Sequence, residues 1–377
     1  MFSASEYKAR TARAQAMMAD RGIDALLLTT EPEVRYFTGY LTRFWESPAR
    51  PWFLVVPANG DPVAVIPTIG AALMARSWIT DIRTWRSPNY VDDGVGLLAD
   101  TLRELGATKV ATPMGLETHL RMPLDDFDML QGAIGSKIIS DSGIIPALRM
   151  IKSEAEVAAI QIACDVANRA FARMPEIAGV GVPLSTVFRK FQMLCLDEGA
   201  DFVPYLTGGA GIGGYDDVIS PASDVSLQDG DILMLDTGLV VDGYFCDFDR
   251  NFAVGSVTDT PQAAHTKLID AVDAAMAIAK PGATAAQLFH AMDDIVTGGA
   301  GGSDTGRLGH GLGMQLTEWP SLIPADMTVL AKGMVLTLEP SIDVGGGKML
   351  VHEENIVVTD TGAQFLSEPY TRDMVVL

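Results

Sequence analysis

Residues 231–250, DILMLDTGLVVDGYFCDFDR, restrict this chain more than any other stretch. Two apolar-rich runs flank Asp242-Gly243, a dipeptide whose ready access to positive φ favours a two-residue hairpin turn. With those residues as the turn, Val241 faces Tyr244 and Asp247 falls opposite Gly238. Side chains alternate along a strand, so Asp236, Gly238, Asp247 and Asp249 share one face. Asp236 and Asp247 become diagonal neighbours, roughly 7–8 Å apart at the backbone. Gly238 is expected to leave room between them. Carboxylates sharing a sheet face repel one another, and a pair of divalent cations is the economical compensation.

The surrounding chain has 377 residues, enough for one large or two ordinary domains. It is 48% hydrophobic, which supports a sizeable core, and no run of 18 apolar residues predicts a spanning helix. The N-terminus, MFSASEYKAR, has no apolar stretch of the signal-peptide kind. Three cysteines, Cys164, Cys195 and Cys246, fit a reducing compartment without a disulfide framework, so a cytoplasmic setting is expected. The net charge of −21 argues against nucleic acid and anionic membranes as partners.

The first third alternates helix and strand patterns. Helices are expected over 4–20, 71–78, 95–105 and 124–134. Strands are expected at ALLLTT, WFLVVPA, PVAVIP, DIRTW and 109–112, with Asn59-Gly60-Asp61 as a hairpin signal. No glycine-rich phosphate fingerprint follows any of these strands. Residues 36–45, YFTGYLTRFW, place aromatics beside Arg43. They suit a binding lid that uses Arg43 and Trp45, or equally a packed corner.

The boundary falls near Leu148, giving domains 1–147 and 148–377. Ser153 and Glu156 form an S-x-x-E capping box that opens a helix ending near Phe171. A helix over 185–198 follows Pro183, and segment 202–220 is rich in glycine, though no lysine or helix start follows Gly208-Gly209-Ala210-Gly211 to make a phosphate cradle. Helices near 261–279 and 285–296 are split by Pro281-Gly282. Residues 307–320, 334–341 and 349–359 read as strand and loop.

Further metal-capable residues lie here. His310 sits in a Gly309-His310-Gly311-Leu312-Gly313 frame that lets backbone pack closely round an imidazole. Glu339 follows the apolar run MVLTL, and Glu353 lies within strand-like MLVHEENIVV. Carboxylates embedded in apolar strands need compensation, because burying one unpaired is costly. An oxygen-rich set with one imidazole suits Mn, Co, Fe or Zn pairs rather than a structural zinc.

LDTG at Asp236, the second aspartate at Asp247, GHGLG at His310, TLEP at Glu339 and EEN at Glu353 together resemble the creatinase/aminopeptidase P/prolidase family. YFTGY and LRMIKSEAEV add to the likeness. The resemblance implies an α+β chain: a pita-bread catalytic domain preceded by a smaller creatinase-like α/β domain. It also implies two divalent ions. Asp236 would hold one, His310 and Glu339 the other, with Asp247 and Glu353 bridging. Glu339 would help to deprotonate the attacking water.

The departures from the family pattern are specific. The HE-x-P histidine is Thr317, and the loop before Asp236, Gly214-Tyr215-Asp216-Asp217, lacks its usual histidine. Val351 replaces an arginine, and Asp249 stands where a small hydroxyl residue is common. Tyr215, Asp216, Thr317 and His352 are the candidate replacements, Tyr215 and Thr317 for catalysis and Asp216 and His352 for substrate binding. The resemblance implies a hydrolase of small peptides, such as an Xaa-Pro dipeptidase or aminopeptidase P. It leaves open an enzyme for a small cationic nitrogen or sulfur compound, of the dimethylsulfoniopropionate-lyase kind. A creatinase- or ectoine-hydrolase-like amidohydrolase and an inactive binding protein are also left open. Family members of this type are homodimers, so Arg43 or Trp45 would reach a substrate in the partner subunit.

Overall fold

The computed structural model describes residues 2–47, 50–302 and 306–377. It places Asp242 and Gly243 at φ of 47° and 79°, both in the left-handed region that a two-residue hairpin turn of this kind requires. Val241 pairs with Tyr244, as the turn predicts. The α+β class also holds. The chain divides into two units, Met1–Arg149 and Met150–Leu377.

The first unit is built on a six-stranded mixed sheet. Its order is Asp81–Trp85, Val63–Pro67, Phe53–Pro57, Ala25–Leu28, Val110–Thr112 and Ile139–Ser140. The four inner strands are buried along their whole length, which explains the unbroken apolar runs of Val63–Pro67, Phe53–Pro57 and Ala25–Leu28. Ala25, Leu27, Phe53, Val55, Val63 and Val65 share a core with Leu98, Leu102 and Leu130 from helices Val95–Glu104 and Leu124–Ile134.

The helix expected over 71–78 is confined to Ala71–Met74. The segment that suited either a lid or a packed corner begins inside an unforeseen helix, Glu31–Thr38. Thr30 and Glu33 carry the capping-box spacing, and the Glu33 carboxylate accepts from the Thr29 and Thr30 amides. Tyr36, Phe37, Tyr40 and Trp45 are buried, so these aromatics form the packed corner. Trp45 lies 5.6 Å from the Trp52 ring, and Arg121 stacks on it at 5.2 Å while donating to its carbonyl. Arg43 is exposed.

The second unit holds two five-stranded sheets. One has the order Val375–Val376, Phe248–Ala253, Asp231–Val241, Phe202–Ile212, with Tyr244–Phe245 also on Asp231–Val241. The other runs Glu318–Ser321, His310–Gly311, Val335–Leu338, Glu354–Val358, Ala363–Phe365. Ile232 and Met234 from the first sheet and Leu336, Leu338, Ile356 and Val358 from the second share one core. Helices Asp259–Ile278 and Ala285–Val296 cover it with Leu268, Val272, Leu288 and Met292. The Ser153–Glu156 capping box forms as expected and opens helix Glu154–Ala172. Phe171 of that helix packs on Phe248 and Phe252 at 5.5 and 6.4 Å.

The glycine-rich stretch, which the sequence left without an assigned element, forms the eleven-residue strand Phe202–Ile212. Its intrinsic preference is poor, but nine of its residues pair with Asp231–Val241, and that ladder overrides propensity. Among the described residues no helix is long and apolar enough to cross a membrane.

Candidate metal centre

The alternation that buries Ile232 and Met234 carries Asp236 to the same face of the strand, just beyond the core. Asp249 pairs with Asp236 and Phe248 with Thr237, which leaves Asp247 opposite Gly238 as the hairpin register requires. Gly238 does not leave space for ions, however. A Cβ there would lie 2.2 Å from Leu316 Cδ1, so the room is filled by a leucine.

Glu353 was expected within one strand, but the chain changes partner at this point. Lys348–Val351 pairs with Ser341–Gly345, and Glu354–Val358 pairs with Val335–Leu338. The register is unbroken across the change: Leu338 faces Glu354, Ser341 faces Val351, and the His352 amide donates to the Pro340 carbonyl at 3.1 Å. The two strands are therefore one long bent hairpin, and the bend brings Glu339 opposite Glu353.

His310 enters from a neighbouring strand. A Cβ on Gly309 would lie 2.2 Å from the Thr337 carbonyl oxygen, so glycine is needed where this strand passes its neighbour. The His310 amide donates to Thr337 Oγ1, and ring Nδ1 contacts the Gly311 carbonyl at 2.8 Å. A carbonyl only accepts, so Nδ1 carries the proton and Nε2 is left as a lone-pair donor. Nε2 lies 3.4 Å from Asp247 Oδ2.

Asp247, His310 and Glu353 are all buried and offer ligand atoms within 4.8 Å of one another. Asp236 and Glu339 add their charges to the group. Burial, then Asp247 and Asp249, raise the Asp236 pKa well above the carboxylate range. Burial also raises Asp247 and Glu353. Glu339 is pushed up to about 8 by burial and by the Asp236 charge, with His310 opposing. These carboxylates raise one another, against the Arg307 charge at Asp247 and His310 at Glu339.

Their free atoms agree with that electrostatic picture. Asp236 Oδ1, Asp247 Oδ1 and Glu353 Oε1 are buried without a hydrogen-bond partner. Tyr205 donates to Asp236 Oδ2 at 2.9 Å, which reserves Oδ1. Orphaned carboxylate oxygens beside an imidazole nitrogen are a donor set that fits divalent first-row metals.

The other expected residues fall in different places. Thr317 Oγ1 accepts from Arg307 at 3.2 Å, and the Arg307 charge is felt at Asp247. Tyr215 is buried; its hydroxyl donates to Asn251 and accepts from the Val351 amide. Asp216 is exposed. His352 is buried, with its two ring nitrogens turned to Asp249 and Glu354. Tyr205 and Arg307 went unnoticed in the sequence. Tyr205 lies in a glycine-rich stretch that carries no strand pattern, and Arg307 has no motif of its own.

Residues 158–360 match the profile of metallopeptidase family M24, and residues 10–151 match that of the creatinase/prolidase N-terminal domain. The probable dipeptidase PepE of Mycobacterium tuberculosis is 29% identical over 366 residues, covering 96% of this chain and 94% of that protein. An Xaa-Pro dipeptidase of Pyrococcus horikoshii is 32% identical over 231 residues, 60% of this chain and 64% of that one. The crystal structure of dipeptidase PepE from Mycobacterium ulcerans superposes with a TM-score of 0.85 at 28% identity, covering 100% of this chain and 99% of that one. The orphaned acids thus stand in a known setting: the chain belongs to metallopeptidase family M24, whose members are metal-dependent hydrolases.

Proposed function

We propose that the protein is a dinuclear metal-dependent dipeptidase, with Xaa-Pro dipeptides as the first substrates to test. The carrying observation is the group of buried carboxylate oxygens that have no partner beside His310 Nε2. Asp236, Asp247, His310, Glu339 and Glu353 would hold two divalent ions, with Mn, Co, Fe or Zn all compatible with the donors. Bound there, the ions would acidify a water and polarise the scissile carbonyl. Glu339 would take the proton that the water gives up. Thr317, positioned by Arg307, would hydrogen-bond the substrate. The names of the relatives support a dipeptide substrate.

A homodimer in a cytoplasmic setting completes the proposal, with exposed Arg43 meeting substrate in the partner subunit. Tyr215 and Asp216 would act from the loop ahead of Asp236, Tyr215 by fixing Val351.

The test is hydrolysis by protein loaded with Mn²⁺ or Co²⁺, measured by amine release. The panel comprises Xaa-Pro dipeptides, other dipeptides and betaine-type compounds. Cleavage of dipeptides is expected. Turnover of only the betaine-type compounds, or of nothing under any metal, would overturn it.

A further inference from the structure

We propose that Asp249 and His352 act as one buried, facing pair that positions the Glu353 carboxylate for a divalent cation. The inference rests on reading the carboxylate cluster as a cation site.

The segment containing Glu353 lies at the bend of a hairpin, where it leaves one strand partner for another. Among the described residues no sheet hydrogen bond joins it to strand Phe248–Ala253, yet side chains of that strand grip it at successive points. Asn251 Nδ2 donates to the Val351 carbonyl at 2.5 Å. Arg250 donates to the Glu353 carbonyl at 3.1 Å and to Glu354 Oε2 at 3.0 Å. Asn355 reaches back to the Asp247 amide at 3.0 Å. Asp249 Oδ1 and His352 Nδ1 form the rung between these, facing each other at 3.8 Å, too long for a hydrogen bond.

Both members of this rung are 1% exposed, and each departs from what a metal site alone would need. Asp249 stands beside Asp236 and adds a further carboxylate to a cluster that already repels itself. His352 answers that charge. Its other nitrogen lies 3.3 Å from Glu354 Oε1, and Tyr370 stacks on the ring at 6.3 Å. The imidazole is thus fixed on three sides, directly before Glu353 in the chain. Removing His352 leaves the buried Asp249 carboxylate without the ring it faces, and removing Asp249 takes away one of the two carboxylates that hold the ring directly before Glu353.

The test uses the full chain, stripped of metal with a chelator and titrated with Mn²⁺ by calorimetry. Asp249→Asn, which keeps shape and removes charge, and His352→Leu are each expected to weaken Mn²⁺ binding roughly 10–100-fold. The double variant is expected to be no worse than the weaker single, because the two act as a unit. His352→Gln serves if His352→Leu does not fold. Singles that bind Mn²⁺ like wild type, whatever their melting temperature, would overturn the pair, and so would strictly additive losses. Wild-type protein that takes up no Mn²⁺, Co²⁺, Fe²⁺ or Zn²⁺ would overturn the cation site itself, and the role of the pair with it.

Discussion

The side-chain amide of Asn355 holds Asp247 by both backbone groups: Oδ1 accepts from the Asp247 N–H at 3.0 Å and Nδ2 donates to its carbonyl. Asn355 lies on the second sheet and Asp247 beside the first, so one buried amide does the work of a ladder pair between them. It fixes where the Asp247 carboxylate points relative to Glu353, two residues before Asn355. The Cys164 thiol adds a third contact to the same oxygen, at 3.4 Å.

Asn355→Ala is expected to leave two buried backbone groups without partners, at about 1–3 kcal/mol each. The melting temperature should fall by several degrees and Mn²⁺ affinity should fall with it. A melt with and without metal measures both. An unchanged metal response would show that Asp247 is held by other contacts.

Chelation is expected to abolish peptide hydrolysis and lower the melting temperature, and added Mn²⁺ or Co²⁺ should restore both. Metal at about 100 times its Kd contributes roughly 2.7 kcal/mol to stability. Glu339→Gln should reduce kcat by about 10²–10⁴-fold while the fold is retained. Activity that survives metal removal would refute the proposed chemistry.

Arg307→Met is expected to lower kcat/KM about tenfold, because Asp247 loses a favourable charge and Thr317 its donor. Thr317→Val should show a similar loss, mostly in KM, if the hydroxyl meets substrate. Equal kinetics for wild type and Thr317→Val would remove Thr317 from the mechanism.

His265 is fully buried, and its Nε2–H donates to the Thr371 carbonyl at 2.9 Å. Burial pushes its pKa down to about 4 from 6.5, against the pull of that carbonyl. The folded state therefore favours the neutral ring. Its contribution to stability is complete above pH 6.5 and is lost as pH falls towards 4. Urea unfolding at pH 7, 5.5 and 4.5 should show stability declining over that window. His265→Phe should flatten the decline; an identical slope in the variant would assign it to other groups.

Much of the site was legible because it depends on local rules. A two-residue turn sets a hairpin register, and the register alone placed Asp236, Asp247 and Asp249 on one face. The GHGLG and TLEP motifs announced themselves by acids and glycines out of keeping with apolar strands. The Thr30–Glu33 capping box was equally legible, but the aromatics after it drew attention to a loop instead. Strand Phe202–Ile212 was hidden by its glycines, and Tyr205 with it.

The sequence by itself determined the turn at Asp242-Gly243, the alternation of each strand and the identity of the metal-capable side chains, since these follow from neighbours a few residues apart. Only the tertiary structure decided that Glu353 sits at a bend opposite Glu339, that Leu316 fills the gap beside Gly238, and that His352 answers Asp249. These relations join positions 14, 78 and 103 residues apart, and burial and the packing of strands brought together by the fold set them rather than any local preference.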